Sequence, residues 1–441
     1  MKYRIREQNE LKPSGVEWLG DIPKDWEYHK NKYIFKRISN NVGDNYDNYK
    51  VLSLTLNGVI ERNMNNMGKM PSSFSIYQIV EKDSLILCLF DIDVTPRIIG
   101  YVNTQGIISS AYTNLIVKNL YSKYYYYWFL TLNNQNILLN YTKSLRNTIN
   151  NENFMSLESL VCSFFEQQKI ANFLDEKSKI FDEAILKKEQ LISKLELAKQ
   201  SLISEVVTGK LKIVEQNSKL QTIKREENEL KSSGVEWLGD IPKDWKLTKL
   251  KYLGDAIIGL TYSPTDVVDK NEGILVLRSS NVQNKRITFE DNVYVKSVIP
   301  KKLLTKIDDI LICSRNGSRN LIGKNALITE KSQDLTFGAF MTIFRSKYNK
   351  YLFYIFNSDI FEAQSASFLS STINQLTTGN LNNFKIVLPS LEEQQKISKY
   401  LDEKLIHFDN TIEKTKQSIT KLKEAKEAFI SQTVTGKIEV L

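Results

Sequence analysis

Four kinds of residue in this chain could in principle do chemistry. Two histidines, His29 and His407, are the side chains suited to proton transfer near neutral pH. Three cysteines, Cys88, Cys162 and Cys313, could supply thiolates or metal ligands, the Asp91-Ile-Asp93 pair could hold a divalent cation, and the Gly-Lys pairs at 209–210 and 436–437 could receive a phosphate. None of these makes a catalytic constellation. The histidines lie far apart in sequence, and neither recurs in the repeats described below. The cysteines have no metal-ligand spacing and no disulfide framework. Cys88 and Cys313 follow the apolar runs Leu85-Ile-Leu87 and Ile310-Leu-Ile312, which suits buried small hydrophobes. The acidic pair has no counterpart around Asn316, where the second half has its equivalent stretch. Both Gly-Lys pairs close a helix where a phosphate loop would open one.

The elements that position everything else occur twice. Glu166-Gln-Gln-Lys169-Ile170, Leu174-Asp-Glu-Lys177, Phe181-Asp182 and Thr208-Gly-Lys210 return as Glu393 to Ile397, Leu401 to Lys404, Phe408-Asp409 and Thr435-Gly-Lys437, always 227 residues later. Each copy has the pattern of one long helix. Ser163 and Glu166, and again Ser390 and Glu393, have capping-box spacing, and Gly209 and Gly436 stand where a left-handed residue ends a helix. Between the caps, apolar residues recur at helical steps. Leu174, Phe181, Ile185, Ile192, Leu195 and Leu202 form the stripe of the first copy, and Leu401, Phe408, Ile412, Ile419, Leu422 and Phe429 that of the second. Stripes this long favour burial against each other in an antiparallel coiled coil.

A second repeat lies upstream of each helix. Ser14-Gly-Val-Glu-Trp-Leu-Gly-Asp-Ile-Pro-Lys-Asp-Trp26 returns without change as Ser233 to Trp245, 219 residues on. The growth in separation from 219 to 227 shows that the ends of the two halves are kept while their middles vary, as in equivalent modules adapted to different targets. The tryptophans of this motif fit structural anchors of a loop. Strand-like runs at Asp83–Cys88 and Asp308–Cys313 and an aromatic run at Tyr121–Trp128, echoed at Tyr348–Ile355, give each module a mixed composition. Because the echo replaces aromatics with Leu352 and Ile355, the aromatic run suits a core-packed helix better than a base-stacking surface. The expected fold is α/β (α+β): a module at 1–162, a long helix at 163–212, a polar linker at 213–229, a second module at 230–389 and a second helix at 390–438.

Of 441 residues, 60 are Lys or Arg and 51 Asp or Glu, a net charge of +9. Residues 166–215 and 391–441 each hold 9 basic and 9 acidic side chains, so the excess lies wholly outside the helices, at 18 against 15 in 1–165 and 24 against 18 in 216–390. The modules therefore carry the surface that suits a polyanion, and the helices are electrically neutral architecture. With no signal-peptide core and no apolar run long enough to span a bilayer, a cytoplasmic protein is expected.

The doubled SGVEWLGDIPKDW run, the LPSLEEQQKI entry at Leu388–Ile397 with its echo at Phe164–Ile170, and the paired VTGK endings together resemble the specificity subunit of type I restriction-modification enzymes. The resemblance covers the whole length in the family's order. It implies two target recognition domains, each reading half of a bipartite site in double-stranded DNA, held apart by paired helices. It further implies two modification (methyltransferase) partners that bind S-adenosylmethionine and methylate adenine. A restriction (motor-nuclease) partner, where present, would bring ATP and Mg. The chain itself would be non-catalytic, with no cofactor, no metal and no membrane partner. A coiled-coil adaptor that binds no DNA is the competing reading.

On this resemblance, DNA-contacting candidates are polar residues after strand-like runs. In the second module these are Arg278, Ser279, Asn281, Arg315, Asn316, Ser318, Arg319, Asn320 and Lys324; in the first they are Arg97, Ser109, Ser110, Tyr112 and Asn114. Arginine pairs with guanine through two hydrogen bonds and asparagine pairs with adenine in the same manner, while phosphate contacts supply affinity.

Overall fold

A computed structural model describes residues 2–63, 73–142, 146–368 and 374–441. Contacts divide the chain into two units, Met1–Glu189 with Lys416–Leu441, and Gln190–Thr415. Each unit therefore takes one module and a piece of both long helices, a division that cuts across the linear domain order of the sequence.

The long helices run over Phe164–Val207 and Leu391–Val434, each 44 residues, or about 66 Å at about 1.5 Å per residue. Ser163 Oγ accepts from the Glu166 amide at 3.2 Å and Ser390 Oγ from the Glu393 amide at 3.3 Å, so the serines cap as expected. The glutamates do not complete the box; their carboxylates turn into the adjoining module. Gly209 and Gly436 end the helices with φ of +77° and +76°.

In the first unit the early part of the first helix lies against the late part of the second. Phe429 meets Phe173 and Phe181 with ring centroids 5.6 and 6.2 Å away, and Lys426 bonds Asp182 at 2.7 Å. In the second unit Lys199 bonds Asp409, the equivalent pair in the same register. Leu174, Ile185, Leu401, Ile412 and Ile419 are buried. Phe181, Ile192, Leu195, Leu202, Phe408, Leu422 and Phe429 are half-buried. Of the buried ones, Leu174 and Leu401 also belong to the module cores.

The modules share a four-stranded antiparallel sheet. In the first its order is Ile99–Tyr101, Leu85–Leu87, Thr113–Val117, Phe35–Ile38, and in the second Asn325–Leu327, Ile310–Cys313, Met341–Arg345, Asp255–Ile258. The apolar runs ending at Cys88 and Cys313 are the buried strands next to the centre, and burial pushes both thiols up. Helices Ser122–Asn134 and Asn349–Ile355 pack their aromatics inward, with Tyr124, Tyr125, Trp128 and Tyr351 buried. Among the described residues the second module alone has a further four-stranded sheet, ordered Val267–Val268, Val293–Val295, Ile274–Leu277, Thr336–Phe337.

The tract expected to be a linker is a hairpin. Strands Leu211–Gln216 and Lys219–Lys224 pair around Asn217-Ser218, both at positive φ, the geometry of a two-residue turn. In the first unit Tyr3–Ile5 pairs with Ile438–Val440 in the equivalent register, the same ladder built from the two ends of the chain.

Candidate functional site

The repeated motif acts by gripping helix ends. Trp26, fully buried, donates its indole Nε1–H to Glu166 at 3.1 Å, and Trp245 donates to Glu393 at 2.8 Å. The same carboxylates receive Arg6 at 2.8 Å and Arg225 at 2.6 Å. Burial raises the Glu166 carboxyl above its ordinary value, with Arg6 and the Trp26 indole pulling the other way. The far end of the opposite helix arrives at the same place. A side chain at Gly436 would meet the Pro23 ring at 2.4 Å, and one at Gly209 the Pro242 ring at 2.3 Å. Tyr124 donates to the Val434 carbonyl at 3.0 Å and Tyr351 to that of Val207 at 3.2 Å. This grip is architecture, and it leaves the middles of the modules to carry specificity.

In the second module several polar candidates converge on one cleft of about 720 Å³ at the end of the second sheet. Arg278 leaves strand Ile274–Leu277 and gives its Nη2 to Asp291 Oδ2 at 2.8 Å and to the Asp291 carbonyl at 3.3 Å. Ser279 accepts from Asn316 Nδ2 at 3.2 Å. Arg315, exposed, lays its guanidinium 5.1 Å from the centre of the Phe340 ring, itself more than half exposed. Tyr262 and Phe340 face the arginine across the cleft floor of Leu260 and Met341. An arginine held by a carboxylate beside an arginine laid on a ring gives two positive donor sets of different freedom.

Other candidates are placed elsewhere. Asn281 is fully buried, accepting the Arg278 amide at 2.9 Å and donating to the Thr288 and Asp291 carbonyls at 3.1 and 3.2 Å, so it shapes the loop and cannot reach a ligand. Ser318 takes its amide to Asn316 Oδ1. Arg319 and Asn320 line a separate groove walled by Gln200 of the first long helix and by Lys285. Lys324 bonds Gln283 at 3.3 Å. In the first module Asn114 is buried within its strand, donating to the Ile79 carbonyl at 3.3 Å, and Tyr112 stacks on Phe90 at 6.2 Å. Ser109 and Ser110 remain at the surface. Arg97 donates to the Tyr126 hydroxyl at 3.1 Å and lines a groove of about 710 Å³ that is also lined by Asp182 and Lys426. Arg97 therefore does not join Ser109 and Ser110. Asn114 and Asn281 fail as readers for one reason: neighbouring strands bury them and spend their amides on backbone.

Comparisons with known proteins follow this geometry. Residues 242–424 match the family model described as the type I restriction modification DNA specificity domain. The type I restriction enzyme EcoKI specificity subunit of Escherichia coli K12 is 27% identical over 212 residues, 45% of this chain and 44% of that one. The MjaVIII specificity subunit of Methanocaldococcus jannaschii is 25% identical over 378 residues, covering 82% and 81%. A chain from a structure on complex assembly and conformational transition of the type I R-M system superposes with TM-score 0.70 at 14% identity, covering 94% of this chain and 99% of that one. The first repeat mirrors the matched half. The chain is similar in sequence to type I restriction-modification specificity subunits. Its match with the EcoKI subunit spans less than half of that protein's length.

Sequence reasoning missed Tyr262, Ser280, Asp291 and Phe340 at the cleft, and Lys285 at the groove. Tyr262 and Phe340 are 78 residues apart and line one cleft because Asp255–Ile258 pairs with Met341–Arg345 and Leu260 bridges to Gly338, a long-range contact without local signal. Arg6 and Arg225 were recoverable: each stands at the same place before its tryptophan motif, and the repeat extends that far. Among the described residues no group of three or more His, Cys, Asp or Glu is placed to hold a metal, and no helix is long and apolar enough to cross a membrane.

Proposed function

We propose that this chain is the non-catalytic DNA-sequence-recognition subunit of a type I restriction-modification complex. Each module reads one word of a bipartite site in double-stranded DNA, and the paired helices set the spacing between the words. One observation carries the reading. The grip of Trp26, Arg6 and Glu166 on the helix start recurs atom for atom at Trp245, Arg225 and Glu393, while the module middles differ in sheet number and in surface. A scaffold that keeps its frame and varies what it displays is built to present different reading surfaces from equivalent mounts. The excess of positive charge outside the helices supports a polyanionic target.

We infer the partners from the likeness to type I restriction-modification specificity subunits. Two modification subunits would bind S-adenosylmethionine, methylate adenine and dock on the helices and repeated ends. A restriction subunit, where the cell has one, would bring ATP and Mg. The complex would work in the cytoplasm, where the DNA is.

The test is sequencing of methylated adenines in random-sequence DNA exposed to the complex of this chain with its modification partner. Two short words around a fixed gap are expected. Replacing the segment between Trp245 and Leu388 by that of a relative should change one word and leave the other. Methylation without sequence preference, or a swap that alters neither word, overturns the proposal in favour of an adaptor that binds no DNA.

A further inference from the structure

The cleft of the second module supports an assignment that rests on the DNA-reading proposal and goes a step further. Its volume of about 720 Å³ far exceeds the roughly 30 Å³ that one water molecule occupies. The polar side is built from the loop after strand Ile274–Leu277. There Asn281 accepts the Arg278 amide and so fixes where the arginine leaves the backbone. Asp291 then takes Nη2 through both its carboxylate and its carbonyl. The guanidinium is held at one corner only. Its contacts with Asp291 are all through Nη2, and the side chain is 34% exposed, so the rest of the guanidinium edge is open to solvent. Two further donors at the same place, Arg278 Nε and Ser280 Oγ, are buried without a protein partner. Buried polar atoms left unpaired are costly, and two of them in one loop beside an accessible guanidinium edge mark a place completed by acceptors from outside.

The two arginines differ in freedom. Arg315 rests on the exposed Phe340 ring with no carboxylate holding it among the described residues. It can follow a phosphate whose position shifts. Arg278 cannot swing without breaking its contact with Asp291, and a fixed fork of donors discriminates between acceptor patterns. Among base edges in the major groove, the O6 and N7 pair of guanine is the pattern that a guanidinium matches with two bonds.

We propose that Arg278 reads a guanine in the word recognised by the second module, that Asp291 is its positioning residue, and that Arg315 on Phe340 holds a backbone phosphate beside it. The test uses the reconstituted complex with its modification partner on a randomised duplex library, read by sequencing of methylated adenines. Arg278→Ala should lower the preference for guanine at one position of the second word by roughly 10- to 100-fold, leaving the first word intact. Arg278→Lys should keep overall methylation but not the discrimination. Asp291→Asn should relax the same position partly, and no other. Arg315→Ala should weaken all sequences alike and lower the salt dependence of binding by about one counterion, with both words unchanged. Thermal midpoints matching the parent chain show that these variants remain folded. The assignment is overturned if the second word contains no guanine, or if Arg278→Ala leaves every position of that word as selective as before. Those results leave the DNA-reading proposal standing, because it fails only if the segment swap changes neither word.

Discussion

The two modules agree at their edges and part company in their interiors. At the edges, the tryptophan, arginine and glutamate, the glycine against proline, the tyrosine on a helix-end carbonyl and the lysine–aspartate pair between helices all occur twice at equivalent positions. In the interiors, the second module has a second four-stranded sheet and a cleft lined by Arg278, with Arg315 on Phe340 at its edge. The first has two two-stranded pairs joined by a single parallel bridge, Val51 to Ile107, and a stacked Phe90–Tyr112 couple. At these edges Trp26, Trp245, Tyr124 and Tyr351 are fully buried and hydrogen-bonded, so most changes to them destabilise. The interiors end in loops whose outer atoms carry few packing constraints, which lets them diverge without loss of the frame.

The largest effect should come from breaking the grip. In Glu393→Ala the guanidinium of Arg225, whose side chain is 5% exposed, would be left with Glu229 at 3.9 Å as its remaining ion pair. A buried charge deprived of its partner costs about 3–5 kcal/mol. Glu166→Ala should cost about as much, because Arg6 is similarly enclosed. Chemical denaturation of the full chain measures both. If one variant is silent while the other unfolds its unit, the two edges are not energetically equivalent and the comparison breaks.

Gly209→Ala and Gly436→Ala come next. Each combines a left-handed backbone with a methyl placed within 2.4 Å of a proline ring, for a joint cost of about 2–4 kcal/mol. Near-equal losses of thermal midpoint are expected, since the surroundings match down to the tryptophan beyond each ring.

Legibility in the sequence followed the same division. Helix limits, module order and the anchoring role of Trp26 and Trp245 could be read because identical residues at constant spacing carry them. The interior could not. Asn114 and Asn281 follow apolar runs just as Arg278 and Arg315 do, and only neighbouring strands decide that the first two are enclosed. The Leu211–Lys224 hairpin reads as a linker because the tract is polar and without apolar periodicity, and its turn, Asn217-Ser218, lacks the glycine that usually announces one.

A smaller effect distinguishes the halves by pH. Lys285, in the turn of the short hairpin of Val282–Gln283 with Arg286–Ile287, is pushed down to about 8 by burial first and by Lys199 second, with Asp409 opposing. An unfolded lysine titrates near 10.5, so between about 8 and 10.5 the folded chain binds fewer protons than the unfolded one. Stability then rises with pH through that window, and the cost of the buried charge is fully present below it. Lys285→Met should therefore stabilise the chain at pH 7, on the order of 1 kcal/mol given partial exposure to solvent, and flatten the rise. Melting curves from pH 7 to 10 that keep their slope in the variant would contradict this.

The smallest effect sharpens the comparison most, because it sets one duplicated contact in two surroundings. Lys426→Met removes the bond to Asp182, whose side chain is 61% exposed, in an open groove lined by residues of both signs. An exposed pair of this kind contributes about 0.5 kcal/mol or less. Lys199→Met removes the equivalent bond to Asp409, but it also relieves the repulsion with Lys285 and leaves Asp409 free to pair with that lysine. The second substitution should therefore cost less than the first, or stabilise slightly, although its ion pair is the more enclosed of the two. In a Lys285→Met background the order should reverse, since nothing then remains for the loss of Lys199 to relieve. A double-mutant cycle on thermal midpoints measures this coupling, and additive behaviour of Lys199 and Lys285 would show that the hairpin does not sense the helix pair.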